Sequence, residues 1–122
     1  MLYRESEEMY LETILLLKKN NQNVRSIDVA KELNYSRASV SRAINLLKNR
    51  NYIVVEDGII NFTEHGYKRA SEIYERHSII MSLLVKLGAS HELAEENACR
   101  IEHVISPEIL DLFKKYYYDL WD

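Results

Sequence analysis

Two short helical segments, a tight turn and a pair of β-rich runs around Asp57-Gly58 follow one another without interruption between residues 26 and 62, and few folds accept that order. Ser26 is a suitable N-cap for a helix over 27–33, where Ile27, Ala30 and Leu33 share a face. Asn34-Tyr35 form a turn, and Ser36 caps a second helix running from 37 to about 50. Its buried stripe is expected at Val40, Ile44 and Leu47. Arg37, Ala38, Ser41, Arg42, Asn45 and Lys48 then face outward. The runs 52–56 and 59–62 flank a dipeptide favoured in tight hairpins. A helix-turn-helix followed directly by a hairpin is the winged-helix arrangement. Its second helix carries short and hydrogen-bonding side chains outward, as entry into a DNA major groove requires.

The flanking segments read as helices. Residues 5–19 carry apolar side chains at Met9, Leu11, Ile14, Leu15 and Leu17, with acids in the first turn and lysines in the last. Thr63 caps a long helix extending to about 87. Leu87-Gly88-Ala89 stops it, and Ser90 opens another over 91–104. Ser106-Pro107-Glu108 is an N-cap, a first-turn proline and a first-turn acid for a last helix over about 107–120. Three glycines and one proline in 122 residues leave little room for any other class. The expected fold is mainly α: a winged helix-turn-helix with a small β-hairpin wing over 1–62, then an all-helical domain over 63–122. Tyr116, Tyr117 and Tyr118 with Trp121 read as packing residues rather than as base-stacking ones.

The net charge of −3 argues against nucleic acid only as an average. Residues 23–50 hold six basic side chains against Asp28 and Glu32, a local +4 suited to a polyanion, while residues 63–122 carry −4 and suit cations. Phosphate contacts are expected from Ser36, Arg37, Ser39 and Arg42, and the acidic Glu56-Asp57 wing is expected to contribute little. No apolar run approaches the roughly 18 residues of a membrane span, and the N-terminus is acidic where a secretory signal is basic. A cytoplasmic protein without membrane association is expected.

Chemistry concentrates in the 91–104 segment. Glu95, Cys99, Glu102 and His103 fall within about 100° of one another around a helix. A thiolate, an imidazole and carboxylates on one face make half a shell for a divalent transition metal, with Met9, Glu12 and His77 as candidates from other helices. Each also has an ordinary reading: Cys99 and Met9 as core filler, the glutamates as solvated, His77 as a surface residue.

The fragments Glu8-Met9-Tyr10-Leu11-Glu12-Thr13-Ile14, Arg76-His77 and Ala98-Cys99-Arg100-Ile101-Glu102-His103-Val104-Ile105-Ser106 resemble the diphtheria toxin repressor and manganese transport regulator family. The likeness runs along nearly the whole chain, and its length is similar to that of the short, two-domain manganese branch, without an SH3-like domain. The resemblance implies a metal-activated, dimeric winged-helix repressor acting on operator DNA of metal-uptake genes. It implies Met9, Cys99, Glu102 and His103 as the ligand set of iron-type members, Glu12 as a carboxylate of manganese-type members, and His77 as a ligand in both. Met81 and Glu95 depart from the iron-type pattern, leaving an ancillary site of His77 and Glu95, with Glu12 as a further candidate. Sulfur donors disfavour Mn²⁺ relative to Fe²⁺, Co²⁺, Ni²⁺ or Zn²⁺. An iron-type response is therefore expected, with Fe²⁺ or Mn²⁺ as the cellular ion and Co²⁺, Ni²⁺ or Zn²⁺ as surrogates.

A metal-independent winged-helix regulator is the alternative. An enzyme is not expected, because the chain has no Gly-rich phosphate loop and no nucleophile–base motif. His65 and His91 read as surface residues. Leu83, Leu84, Ile101, Val104, Ile109 and Leu112 are the expected apolar dimer contacts.

Overall fold

The computed structural model describes residues 2–121, with side chains over 6–119. In chain order the elements are α1 (Leu2–Asn20), α2 (Ser26–Leu33), α3 (Arg37–Asn49), β1 (Ile53–Glu56), β2 (Ile59–Phe62), α4 (Glu64–Lys86), α5 (His91–Ile101) and α6 (Pro107–Trp121). The chain divides into two compact units, Met1–Ser71 and Glu72–Asp122, the division falling inside α4.

The first unit is a winged helix. Leu11, Ile14 and Leu15 from α1, Val29 and Ala30 from α2, and Val40, Ile44 and Leu47 from α3 are all buried, together with Ile53 and Ile60 from the strands. The α3 stripe is the one its periodicity predicts. β1 and β2 pair antiparallel from Ile53↔Phe62 to Glu56↔Ile59. Asp57 and Gly58 both take positive φ, 53° and 78°, the geometry of a two-residue type I′ turn. Lys18 ties α1 to this hairpin: its Nζ donates to the Ile60 carbonyl (2.7 Å) and to Asn61 Oδ1 (2.9 Å).

Ser26 does not cap α2. It is the first helical residue, and the cap position belongs to Arg25, whose amide donates to Asp28 Oδ2 at 2.8 Å. The reason lies in the wing. The Val24 carbonyl accepts from the Ile60 amide at 2.8 Å, and Arg25 Nη1 donates to the Asp57 carbonyl at 2.9 Å. Both contacts hold the chain extended until Arg25. Ser36 does cap α3, accepting from the Ser39 amide at 3.1 Å.

The start of α4 packs tightly on the turn after α3. The Thr63 hydroxyl reaches the carbonyls of Asn51 (2.6 Å) and Tyr52 (3.1 Å) and accepts from the Gly66 amide (3.0 Å). A Cβ on Gly66 would stand 1.8 Å from the Tyr52 carbonyl oxygen, so only glycine permits this approach.

In the second unit, Ile73, His77 and Ile80 share the buried face of α4. Ala94 and Ala98 are the buried residues of α5. Gly88, at φ 113°, ends the run from α4, with the Ala89 amide returning to the Leu84 carbonyl at 3.0 Å. The Lys114 ammonium meets Glu75 at 2.7 Å, and that hydrogen bond raises the lysine's pKa.

Helix α5 ends at Ile101, three residues before the periodicity predicts. The Glu102 amide still reaches the Ala98 carbonyl, but the Val104 and Ile105 amides both turn back to Ile101. Pro107 bounds the segment between α5 and α6. The residue before a proline is pushed out of the helical region, and Ser106 must be free to cap α6, which it does by accepting from the Ile109 amide at 3.2 Å. Glu102 thus closes α5 as its C-cap, still in helical conformation (φ −59°, ψ −26°), and His103 lies in the turn beyond it. Of the apolar residues expected at a dimer contact, Val104, Ile109 and Leu112 are exposed and Leu83, Leu84 and Ile101 half-buried. Tyr117 and Tyr118 meet edge to face, whereas the Trp121 side chain lies outside the described residues.

Two substitutions test this local chemistry by urea denaturation. Gly66→Ala is expected to destabilise by about 2–3 kcal/mol, because the clash is with backbone. Ser36→Ala is expected to lose about 1 kcal/mol through its cap.

Candidate functional site

Helix α3, the one expected to enter a major groove, presents Arg37, Ala38, Ser41, Arg42 and Asn45, all exposed. Ser36 and Ser39 have structural work as well. Ser36 Oγ donates to Ser39 Oγ at 3.0 Å, and Arg42 Nη2 donates to Ser39 Oγ at 3.4 Å. The two serines thus shape the first turn and steady an arginine. Tyr10 lies behind this face: burial and the neighbouring Tyr35 raise its pKa, and the Arg42 guanidinium opposes them. Glu56 and Asp57 are exposed in the wing, as the sequence implies, but Arg25 lies against the Asp57 carbonyl and adds a cation there. Burial lowers the pKa of Lys18, on the far side of the hairpin's attachment to α1.

A second cluster forms within the second unit. His77, on α4, is buried and not a surface residue. Its Nε2 lies 3.0 Å from Glu95 Oε2, and its Nδ1 lies 3.2 Å from Glu102 Oε2. His103 Nε2 approaches the other Glu102 oxygen at 3.3 Å. Cys99 Sγ is 3.8 Å from Glu95 Oε1. One donor atom each from His77, Glu95 and Cys99 lie within 4.8 Å of one another. Glu95 and Cys99 are exposed and separated by one helical turn, while Glu102 has no accessible surface.

The donor set suits a divalent transition metal. It combines imidazole nitrogen, carboxylate oxygen and a sulfur able to ionise. Glu102 supplies a further observation: its two buried oxygens make no hydrogen bond among the described residues, and their neighbours are the two imidazoles. A buried carboxyl group in that condition calls for a positive partner.

The other expected ligands, Met9 and Glu12, belong to the first unit and are half-buried on α1. The Met9 Sδ accepts from the Tyr35 hydroxyl at 3.8 Å. Met81, one helical turn after His77 on α4, lines a surface cavity with Val85, Lys86 and His91. His65, exposed as expected, stacks on Tyr52 with ring centroids 4.8 Å apart.

Sequence reasoning missed an ionic cluster in the first unit. Glu7 and Glu8, read as first-turn acids that offset the helix dipole, are buried. Glu7 pairs with Arg50, and Arg69 Nη2 lies 3.2 Å from Glu8 Oε2 and 3.7 Å from Glu7 Oε1. The partners are 43 and 61 positions away in sequence, so no local pattern announces them.

Residues 2–58 match the N-terminal DNA-binding domain of iron-dependent repressors, and residues 63–119 match their metal-binding and dimerisation domain. An HTH-type transcriptional regulator of Methanocaldococcus jannaschii is 37% identical over 113 residues, 90% of each chain. The transcriptional regulator MntR of Escherichia coli is 32% identical over 114 residues, 93% of this chain and 74% of that one. Among solved structures, IdeR of T. acidophilum superposes with a TM-score of 0.77 at 27% identity, covering 90% of this chain and 53% of that one. With a winged helix, an exposed recognition face and a metal-ready cluster on one chain, the protein belongs to the iron-dependent repressor family of metal-dependent transcriptional regulators.

Proposed function

We propose that this chain is a homodimeric repressor of metal-uptake genes whose operator affinity is raised by a divalent transition metal, with an iron-type response favoured over manganese. Residues 1–62 read DNA, and residues 63–122 hold the metal and the dimer contact. The observation that carries the reading is Glu102, a carboxyl group without accessible surface whose two oxygens lie against the imidazoles of His77 and His103 and make no hydrogen bond among the described residues.

His77, Glu95, Cys99, Glu102 and His103 are the proposed ligands from the second unit; family resemblance adds Met9 and Glu12. A divalent cation there would supply positive charge to the clustered carboxylates and would favour ionisation of the Cys99 thiol. Cys99 and Met9 offer soft sulfur, which is why iron-type ions are favoured. Glu95 and Glu102 lie against the two nitrogens of His77 from opposite edges of its ring, which restricts the orientation of the imidazole.

On the DNA side, two copies of α3 must enter successive major grooves about 34–36 Å apart. Arg37 and Arg42 supply phosphate contacts with Ser36 and Ser39 beside them, and Ala38, Ser41 and Asn45 face base edges. A dimer whose α3 spacing varies must take the ordering energy out of its DNA affinity; one whose spacing is set does not.

An anaerobic Co²⁺ titration of the reduced protein tests the metal assignment. A sulfur-to-cobalt charge-transfer band in wild type, lost in Cys99→Ser, is the expected result. Stoichiometric binding without such a band would move the ion to oxygen and nitrogen donors and favour manganese. Absence of binding would leave a metal-independent regulator. For the DNA side, Arg42→Ala is expected to weaken binding to different duplexes about equally and to reduce the slope of log K against log salt by about one. A loss confined to one sequence would contradict the phosphate role.

A further inference from the structure

Two side chains of α1, two residues apart, hold opposite ends of the recognition helix. Glu7, buried, pairs with Arg50, the residue that caps the C-terminal end of α3. Arg69, near the start of α4, closes the same cluster onto Glu7 and Glu8. Met9 receives the Tyr35 hydroxyl at its sulfur, and Tyr35 immediately precedes the Ser36 cap of α3. The Tyr35 ring also packs edge-on against Tyr10, with centroids 6.3 Å apart at 66°. Residues two apart on a helix point about 200° from one another. The two contacts therefore meet α1 from opposite sides.

The buried Val40, Ile44 and Leu47 stripe seats α3 in the core, and a single polar contact would restrain its tilt at one end alone. Contacts at both ends restrain it at both, and the Glu7 end is firm because its carboxylate, shut away from water, has the two arginines as partners. The Tyr35 end is softer, a hydroxyl-to-sulfur bond backed by ring packing. It nevertheless connects one of the proposed metal ligands to the turn that sets the entry angle of α3.

We infer that the Glu7–Arg50 and Met9–Tyr35 contacts make α1 and α3 move as one body, and that Tyr35 and Arg50 are positioning residues through which the state of Met9 is imposed on the recognition helix. This rests on the proposed reading of Met9 as a metal ligand. Coupling between two sites is reciprocal: the factor by which metal tightens DNA equals the factor by which DNA tightens metal. A residue that serves only stability leaves that factor unchanged.

The test uses the full chain, Co²⁺ as the metal, and a duplex recovered by in vitro selection with Co²⁺-loaded wild type. The coupling factor is read twice: from duplex affinity with and without Co²⁺ by fluorescence anisotropy, and from Co²⁺ affinity with and without duplex by calorimetry. Tyr35→Phe keeps the ring and removes the hydroxyl; Glu7→Gln keeps the shape and removes the charge. The double variant is expected to lose at least fivefold of the coupling factor by both readings, with a cooperative thermal transition retained. A folded double variant with the wild-type factor overturns the inference. If the double variant does not fold, Tyr35→Phe alone decides: at least a twofold fall supports the inference and an unchanged factor overturns it. A wild-type factor of one overturns the proposed function itself, and this inference with it.

Discussion

A carboxyl group with no accessible surface is among the most demanding things a small helical unit can contain, and Glu102 is one. Removing a carboxylate from water costs several kcal/mol unless partners make it good. Its partners are the Nδ1 of His77 and the Nε2 of His103. Much of the local architecture serves that arrangement. His77 must occupy the buried face of α4, so it stands in the same row as Ile73 and Ile80. Helix α5 closes on Glu102, its C-cap, with His103 in the turn that follows. Glu95, holding the other edge of the His77 ring, brings Cys99 into the same cluster one turn later.

The first unit solves a different problem, that of holding a thirteen-residue helix at a fixed attitude with a short wing. Its apolar core fixes the layers, and a few polar contacts fix the angles. Lys18 fastens α1 to β2, Arg25 fastens the entry of α2 to the hairpin turn, and Gly66 lets α4 press directly onto the Tyr52 backbone. None of these residues touches the exposed face of α3. They hold its surroundings still, which is what presentation of Arg37 and Arg42 to a duplex requires.

The parts legible in the sequence were those governed by local rules. Helical periodicity gave the Val40, Ile44 and Leu47 stripe, left-handed turn residues gave the Asp57-Gly58 hairpin, and caps gave the starts of α3, α5 and α6. The candidate ligands of the second unit were legible by residue type and by resemblance, although periodicity carried the helix through His103, where Glu102 is its C-cap and His103 lies in the turn beyond. What was not legible depends on partners distant in sequence. Arg25 displaced Ser26 as the α2 cap because of a contact with residue 57, and Glu7 and Glu8 were buried by arginines at 50 and 69. A run of acids opening a helix reads as solvated until the cations that cover it are known.

The most direct measurement is the thermal unfolding of the reduced chain with and without Co²⁺, wild type beside Glu102→Gln. A ligand held only by the folded state stabilises it by RT ln(1 + [L]/Kd), about 2.7 kcal/mol at a hundred times Kd. The account predicts a clear rise in Tm for wild type on adding metal. It further predicts that metal-free Glu102→Gln still unfolds in a cooperative transition, and that its response to metal is largely lost. An equal metal-induced rise in both proteins would contradict the claim that Glu102 anchors the metal.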